Sequence, residues 1–272
     1  MMSEDGGKWD RVEIERSYYR NEGDYVGDDN TLRCGECHDE KESWWGGLPS
    51  ERECKCMLER AEAKKQKAIV GHRRHECFEN SRVLYECTFG TVDCTAPEMQ
   101  KVKRYADNFQ EMFSGGMGLK LWGANGNGKT TAAACIANAW NEIADGAFMT
   151  SFGRILSEVF SIKDKSEYFD ELVSYPLLII DDLGAERSSE YAQEIVFNVI
   201  DGRYRTGKPL IVTTNLTLDE IKNPADMRHA RIYDRLLEMC IPIHFAGPSR
   251  RREIQKQKIE TMRTLLEGDG DE

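Results

Sequence analysis

The chain has no apolar run approaching the roughly 20 residues that span a bilayer, so no membrane-spanning helix is expected. It also lacks a basic start followed by an apolar stretch. Its first residues, MMSEDGGKWDR, do not read as a secretory signal. Positive charge is in short supply: 37 Lys and Arg stand against 48 Asp and Glu, leaving −11. A field of that sign repels phosphate, so any contact with DNA must come from local basic patches. Apolar mass is not lacking. With 40% hydrophobic residues, 272 positions support one full domain and a smaller one. These features predict a cytoplasmic protein, without a membrane partner, whose nine cysteines stay reduced or bind metal.

Residues 1–30 are polar and rich in Gly and Asp, and read as a flexible arm with a short helix over 10–18. Residues 31–60 hold four cysteines and little apolar mass, so a metal is expected to replace the missing core. Residues 61–96 are dominated by charge, as in ERAEAKKQKA, and read as a helical linker. From 97 the pattern changes. Met99, Val102, Ala106, Phe109 and Phe113 recur at spacings of three and four, marking one amphipathic helix that ends at Ser114, Gly115 and Gly116. Short apolar runs follow at 119–122, 147–149, 177–180, 210–212 and 241–245, alternating with helical patterns. One such pattern is the stripe Ala192, Ile195, Val196, Val199 and Ile200; Thr217 with Glu220 reads as a capping box. The alternation predicts an α/β domain over 97–266, with a parallel sheet covered on both faces. A final helix is expected over 249–266, then a disordered acidic tail at 267–272.

Gly123, Ala124, Asn125, Gly126, Asn127, Gly128, Lys129 and Thr130 match G-x-x-x-x-G-K-[ST] in full, between an apolar run and the helical TTAAACIANAW. Glycines let successive backbone N–H groups face an anion, and the helix N-terminus that begins near Thr131 adds positive charge. Lys129 can reach the outer phosphates of a triphosphate, and the Thr130 hydroxyl can ligate Mg²⁺. The run LLIIDDLG ends in Asp181, expected to hold Mg²⁺, and Asp182, expected to orient or deprotonate the attacking water. No Asn-Lys-x-Asp element specifies guanine, so ATP is the expected nucleotide. Asn215, after the next run, is a candidate to position water. Arg231 and Arg235 lie four apart in RIYDRLLEM and share a helix face. They either pair with nearby acids or, for Arg231, reach into a neighbouring subunit's nucleotide. Arg250 is a candidate for phosphate contact within its own subunit; Arg251 and Arg252 read as exposed.

Cys34 and Cys37 are spaced C-x₂-C, and Cys54 and Cys56 C-x-C, sixteen residues later; four thiolates can close a tetrahedral Zn²⁺ site. His38, or one of His72, His75 and Cys77, are alternative ligands, and free thiols the alternative state. Cys87, Cys94, Cys135 and Cys240 read as ordinary thiols. The acids around the cluster favour protein docking over DNA contact. Trp44 and Trp45 cover the metal, anchor a partner or stack on bases. Lys163, Lys165, Arg203 and Arg205 are the core's candidate DNA contacts.

GANGNGKT, LLIIDDLG, TTNL and RIYDRL, in this order and spacing, resemble the DnaC/IstB-like AAA+ ATPases over roughly residues 85–255. The short stretch after the fifth run is similar to that family's truncated form, without a helical lid. The resemblance implies a lidless AAA+ P-loop fold behind a small zinc module, and a bacterial or phage helicase loader in DNA replication. Such a loader binds the replicative helicase through its N-terminal part and single-stranded DNA through the core, and forms a homo-oligomer with ATP at its subunit interfaces. On this chain it implies Lys129 and Thr130 as the P-loop pair, Asp181 as the magnesium ligand and Asp182 as the catalytic acid. It further implies Asn215 as the sensor amide, Arg231 as the finger and Arg250 as the second sensor. Asp182 departs from the glutamate common at that place. The alternatives are an IstB-type transposition helper and a non-catalytic adaptor that ATP only gates.

Overall fold

The computed structural model describes residues 6–78, 81–184, 190–224 and 226–267, which form two compact units divided between Ile69 and Val70. The ends of the expected arm and tail, 1–5 and 268–272, lie outside the described residues.

In the first unit, α1 (Gly6–Ser17) precedes two small antiparallel pairs. These are β1 (Tyr25–Val26) with β2 (Leu32–Arg33), and β3 (Glu42–Trp45) with β4 (Leu48–Glu51). Helix α2 (Lys55–Phe78) follows and continues into the second unit. Val12, Tyr19 and Leu32 are buried here, yet much of the centre is polar. The Arg16 and Glu42 side chains, 2% and 0% exposed, meet at 2.8 Å. Glu42 also accepts from Arg16 Nε at 3.0 Å, the Tyr19 hydroxyl at 3.2 Å and the Leu32 N–H at 3.0 Å. Lys41 and Asp24 form a second buried pair at 2.5 Å. Burial alone would raise the Glu42 pKa; the hydrogen bonds from Arg16 and the Leu32 N–H outweigh it and hold the carboxyl below its usual range. For the described part of the expected flexible arm over 1–30, residues 6–30, this is a correction: α1 is packed through Arg16 against Glu42. Local polarity suggested solvated chain, but these polar groups satisfy one another across 26 residues.

The second unit begins with α3 (Arg82–Tyr85), α4 (Pro97–Asp107) and α5 (Phe109–Ser114). Then come β5 (Gly118–Trp122), α6 (Lys129–Ile143), β6 (Ala147–Ser151), α7 (Phe152–Ser161), α8 (Lys165–Ser174) and β7 (Leu177–Leu183). It closes with α9 (Glu190–Thr206), β8 (Leu210–Thr214), α10 (Leu218–Lys222), α11 (Met227–Met239), β9 (Cys240–His244) and α12 (Arg250–Glu267). The one helix expected over 97–113 is two, broken at Asn108, whose φ of −116° and ψ of 34° leave the helical region.

Five strands form a parallel sheet in the order β6-β7-β8-β5-β9. Alternate residues of each strand point to opposite faces. Leu119, Leu121, Leu177, Ile179 and Ile211 join the cluster under α4, α5 and α6. Leu178, Ile180, Leu210 and Val212 join the one under α7, α8, α9 and α11. Both faces are therefore buried, which is why the strands read as unbroken apolar runs. Arg203, a candidate DNA contact, is fully buried instead. Its guanidinium donates to the carbonyls of Val173, Pro176 and Pro209 at 3.0, 2.8 and 3.2 Å. Solvated and buried arginines look alike in sequence when the acceptors are backbone.

Arg16→Ala is expected to cost the first unit about 3–5 kcal/mol, because it strands a buried carboxylate. Since the Glu42 pKa is depressed, the stability it contributes is present above an ordinary value of about 4.3 and is lost as pH falls through the folded value. Urea unfolding of the full chain, read by hydrogen exchange over residues 31–45, checks both. A change under about 1 kcal/mol would mark the pair as solvated.

Candidate nucleotide and metal sites

Parallel pairing brings the C-terminal ends of β5, β7 and β8 to one edge, where α6 begins. The chain leaves β5 for the far strand β6 and later returns to β8 beside it, so this edge is a topological switch point. Two glycines explain how the loop after β5 folds against its surroundings. Gly123 has φ +144°, and a Cβ there would lie 2.3 Å from the Phe245 carbonyl oxygen. A Cβ on Gly126, φ +85°, would lie 2.2 Å from Ser249 Oγ. The loop is thus clamped to the segment after β9. Asn127 Nδ2 adds a bond to the Phe245 carbonyl at 2.8 Å, a bracing role for this side chain.

Lys129 is buried, and its amine donates to the carbonyls of Gly123 and Ala124, both at 2.8 Å, and to Asn215 Oδ1 at 2.9 Å. The Thr130 hydroxyl donates to Asp181 Oδ1 at 2.9 Å. Thr213 Oγ1, on the intervening β8, donates to the same oxygen at 2.5 Å and accepts the Asp182 N–H at 3.0 Å. Asp182 has φ +57°, at a register break between Ile180 and Leu183, so consecutive acids leave the strand in different directions. Burial lowers the pKa of Lys129, opposed by the charges of Asp182 and Asp181. Burial also raises that of Asp181, opposed by the Thr213 hydrogen bond. A cation beside Asp181 and an anion beside Lys129 would favour the charged form of each.

A cavity of about 340 Å³ opens here, lined by Asn125, Gly126, Gly128, Lys129, Thr130, Thr131, Asp182 and Arg250. The backbone N–H of Arg250 also bonds the Gly126 carbonyl at 2.9 Å. Thr91, Val92 and Arg251 complete the lining. Sequence reasoning missed these three, together with Thr213. A Thr closing an apolar strand just before TTNL's amide is the one available signal; Arg251 is exposed, as expected, and lines the cavity as well. The donor set fits Mg²⁺ held by Thr130 and Asp181, a hard cation seeking oxygens, beside a polyphosphate on the loop amides. Arg231 is elsewhere: it is exposed and lines a separate cavity of about 550 Å³ with Glu190, Tyr191, Gln193, Glu194 and Phe197. Arg235 pairs with Asp201 at 2.5 Å and lies over the Phe197 ring at 4.8 Å, so the two arginines do not act alike.

In the first unit the Sγ atoms of Cys34, Cys37, Cys54 and Cys56 all lie within 4.8 Å of one another. A tetrahedral Zn²⁺ with about 2.3 Å bonds needs sulfurs about 3.8 Å apart. The Cys37 and Glu36 N–H groups pull the Cys34 thiol down to about 7, while the neighbouring Cys54 and Cys34 sulfurs push Cys56 up. Four thiolates can share this space only around a cation, so the set fits zinc. His38 and His72 are engaged otherwise, with the Tyr25 hydroxyl at 3.2 Å and Glu76 at 3.3 Å. Trp45 is 86% exposed and so does not cover the cluster.

Residues 98–258 match the model of the IstB-like ATP binding protein family. The chain belongs to this family. It is similar to the replicative helicase loader DnaI of Bacillus subtilis (strain 168), 25% identical over 215 residues, 73% of this chain and 68% of that protein. It is also similar to the replicative helicase loader DnaC of Escherichia coli (strain K12), 27% identical over 165 residues, 58% of this chain and 62% of that one. The crystal structure of DnaI superposes with a TM-score of 0.56 at 25% identity, covering 66% of this chain and all of that one. The DnaC/IstB-like resemblance and the P-loop AAA+ architecture both hold. Among the described residues no helix is long and apolar enough to cross a membrane.

Purified full-length protein is expected to carry one zinc per chain by elemental analysis. Cys37→Ser or Cys54→Ser should lose it, with faster hydrogen exchange over residues 31–60 and nucleotide binding retained. Protein free of metal, or a serine variant that keeps it, would contradict the assignment.

Proposed function

We propose that this chain is an ATP-dependent loader of a replicative helicase. Its first unit, zinc-bound, docks the helicase, and its second unit binds single-stranded DNA and ATP. The observation that carries the catalytic reading is the convergence of Lys129, Thr130, Asp181, Asp182 and Asn215 at one edge of the sheet. Similarity to two helicase loaders supports the biological role. Lys129 would exchange its two loop carbonyls for phosphate oxygens while keeping the Asn215 amide, so occupancy of the loop would be felt at the end of β8. Asp182, beside the cavity but not bonded to Thr130, is free to take a proton from water. Magnesium, when bound, supplies charge neutralisation on the phosphates. Arg231, on a different surface, would act on the nucleotide of a neighbouring copy, and Arg250 on its own. For DNA, Lys163 remains exposed; Lys165 bonds the Tyr191 hydroxyl at 3.0 Å, and Arg205 pairs with Asp201 at 2.8 Å.

An IstB-type transposition helper shares the same core. The cysteine unit favours the loader, which needs a docking module. The adaptor reading is separated by Asp182→Asn: loading retained without hydrolysis would support it.

Lys129→Ala is expected to abolish ATP binding in a fluorescent-nucleotide titration. Asp182→Asn should keep binding and lose hydrolysis by about a hundredfold or more. Arg231→Ala should also keep binding, but lose about a thousandfold in hydrolysis. Co-purification with the host replicative helicase, lost on removing residues 1–69, tests the partner. A protein that neither binds ATP nor retains a helicase would refute the proposal.

A further inference from the structure

Helix α12 runs 18 residues, about 27 Å at 1.5 Å per residue, and its described side chains beyond Arg250 are all exposed. Ile259, Met262 and Leu266 are 56, 55 and 76% exposed, spaced three and four apart along one stripe. Gln255, Lys258, Arg251 and Arg263 flank them on the same surface. Such a stripe, apolar at its centre and basic at its edges, is a surface made for contact.

The chain carries the complement. The 550 Å³ groove on α9 and α11 has Tyr191 and Phe197 as its aromatic floor and Glu190 and Glu194 as its acids. Phe160, 73% exposed, packs its ring 5.2 Å from that of Tyr191 and extends the apolar surface. The exposed stripe shows that α12 does not fill this groove within its own chain.

We propose that α12 of one copy seats in the α9–α11 groove of a second copy, Lys258 facing Glu194 and the stripe facing Tyr191 and Phe197. This rests on the reading that copies assemble on ATP, and names the surfaces that join. The contact is heterologous, so it propagates into a ring or an open helix rather than closing as a dimer.

The test uses full-length protein in sedimentation velocity with and without Mg·ATP, alongside nucleotide titration of every variant. Wild type is expected to assemble with ATP. Lys258→Glu and Glu194→Lys should each weaken assembly about tenfold, through repulsion at the interface, with nucleotide affinity unchanged. Mixed in equal amounts, the two variants should regain association, because each helix then meets a groove of opposite charge. Ile259→Asp with Met262→Asp should abolish assembly, and no mixing with Glu194→Lys should rescue chains beyond pairs. Assembly untouched by the single variants, or lost in both without rescue on mixing, overturns this seat while leaving ATP-driven assembly standing. A wild-type chain that binds ATP and stays monomeric overturns both.

Discussion

The carboxylate of Asp181 is the point on which the second unit's site depends. It receives Thr130 Oγ1 at 2.9 Å from the helix after β5 and Thr213 Oγ1 at 2.5 Å from β8. Three segments from distant parts of the chain are joined at one oxygen. That junction exists because β7 and β5 flank β8 in parallel register, with Leu121 opposite Thr213. Antiparallel pairing would send one of the ends to the far edge. A buried acid without these donors would be costly. With them it becomes a preorganised oxygen at the switch point, one strand from the lysine that Asn215 steadies.

The two units solve the burial problem differently. The second has a sheet with apolar residues on both faces and helices over each. The first is too small for such a core. It buries Arg16 with Glu42 and Lys41 with Asp24, and gathers four cysteine sulfurs. Ion pairs of this kind contribute little net stability but penalise alternatives heavily, since any rearrangement strands a charge. A metal-holding cluster would add the stability that the pairs do not.

Much of this was legible beforehand. The five strands fall on the apolar runs, because strands buried on both faces are mostly apolar, Lys120, Thr213 and Thr214 being buried exceptions. The capping box of Thr217 and Glu220 is present, since its bonds are local. What failed was longer range. The helix over 97–113 breaks at Asn108, where its periodicity continues across the break. Arg203, a candidate DNA contact in the sequence, is buried under backbone carbonyls. The expected loose arm is, over its described residues 6–30, pinned by Arg16.

The sequence by itself determined the chemistry: a glycine-rich loop with Lys129 and Thr130, paired acids after an apolar strand, and cysteines at metal spacing. These rest on residue type and short spacing, which a linear chain displays directly. Only the tertiary structure decided which groups meet. It set Thr213 between the two acids, brought Arg251 into the nucleotide cavity, and put Arg231 on another surface. Strand order and helix docking place those residues, and both are set by burial summed over the whole unit rather than by any local pattern.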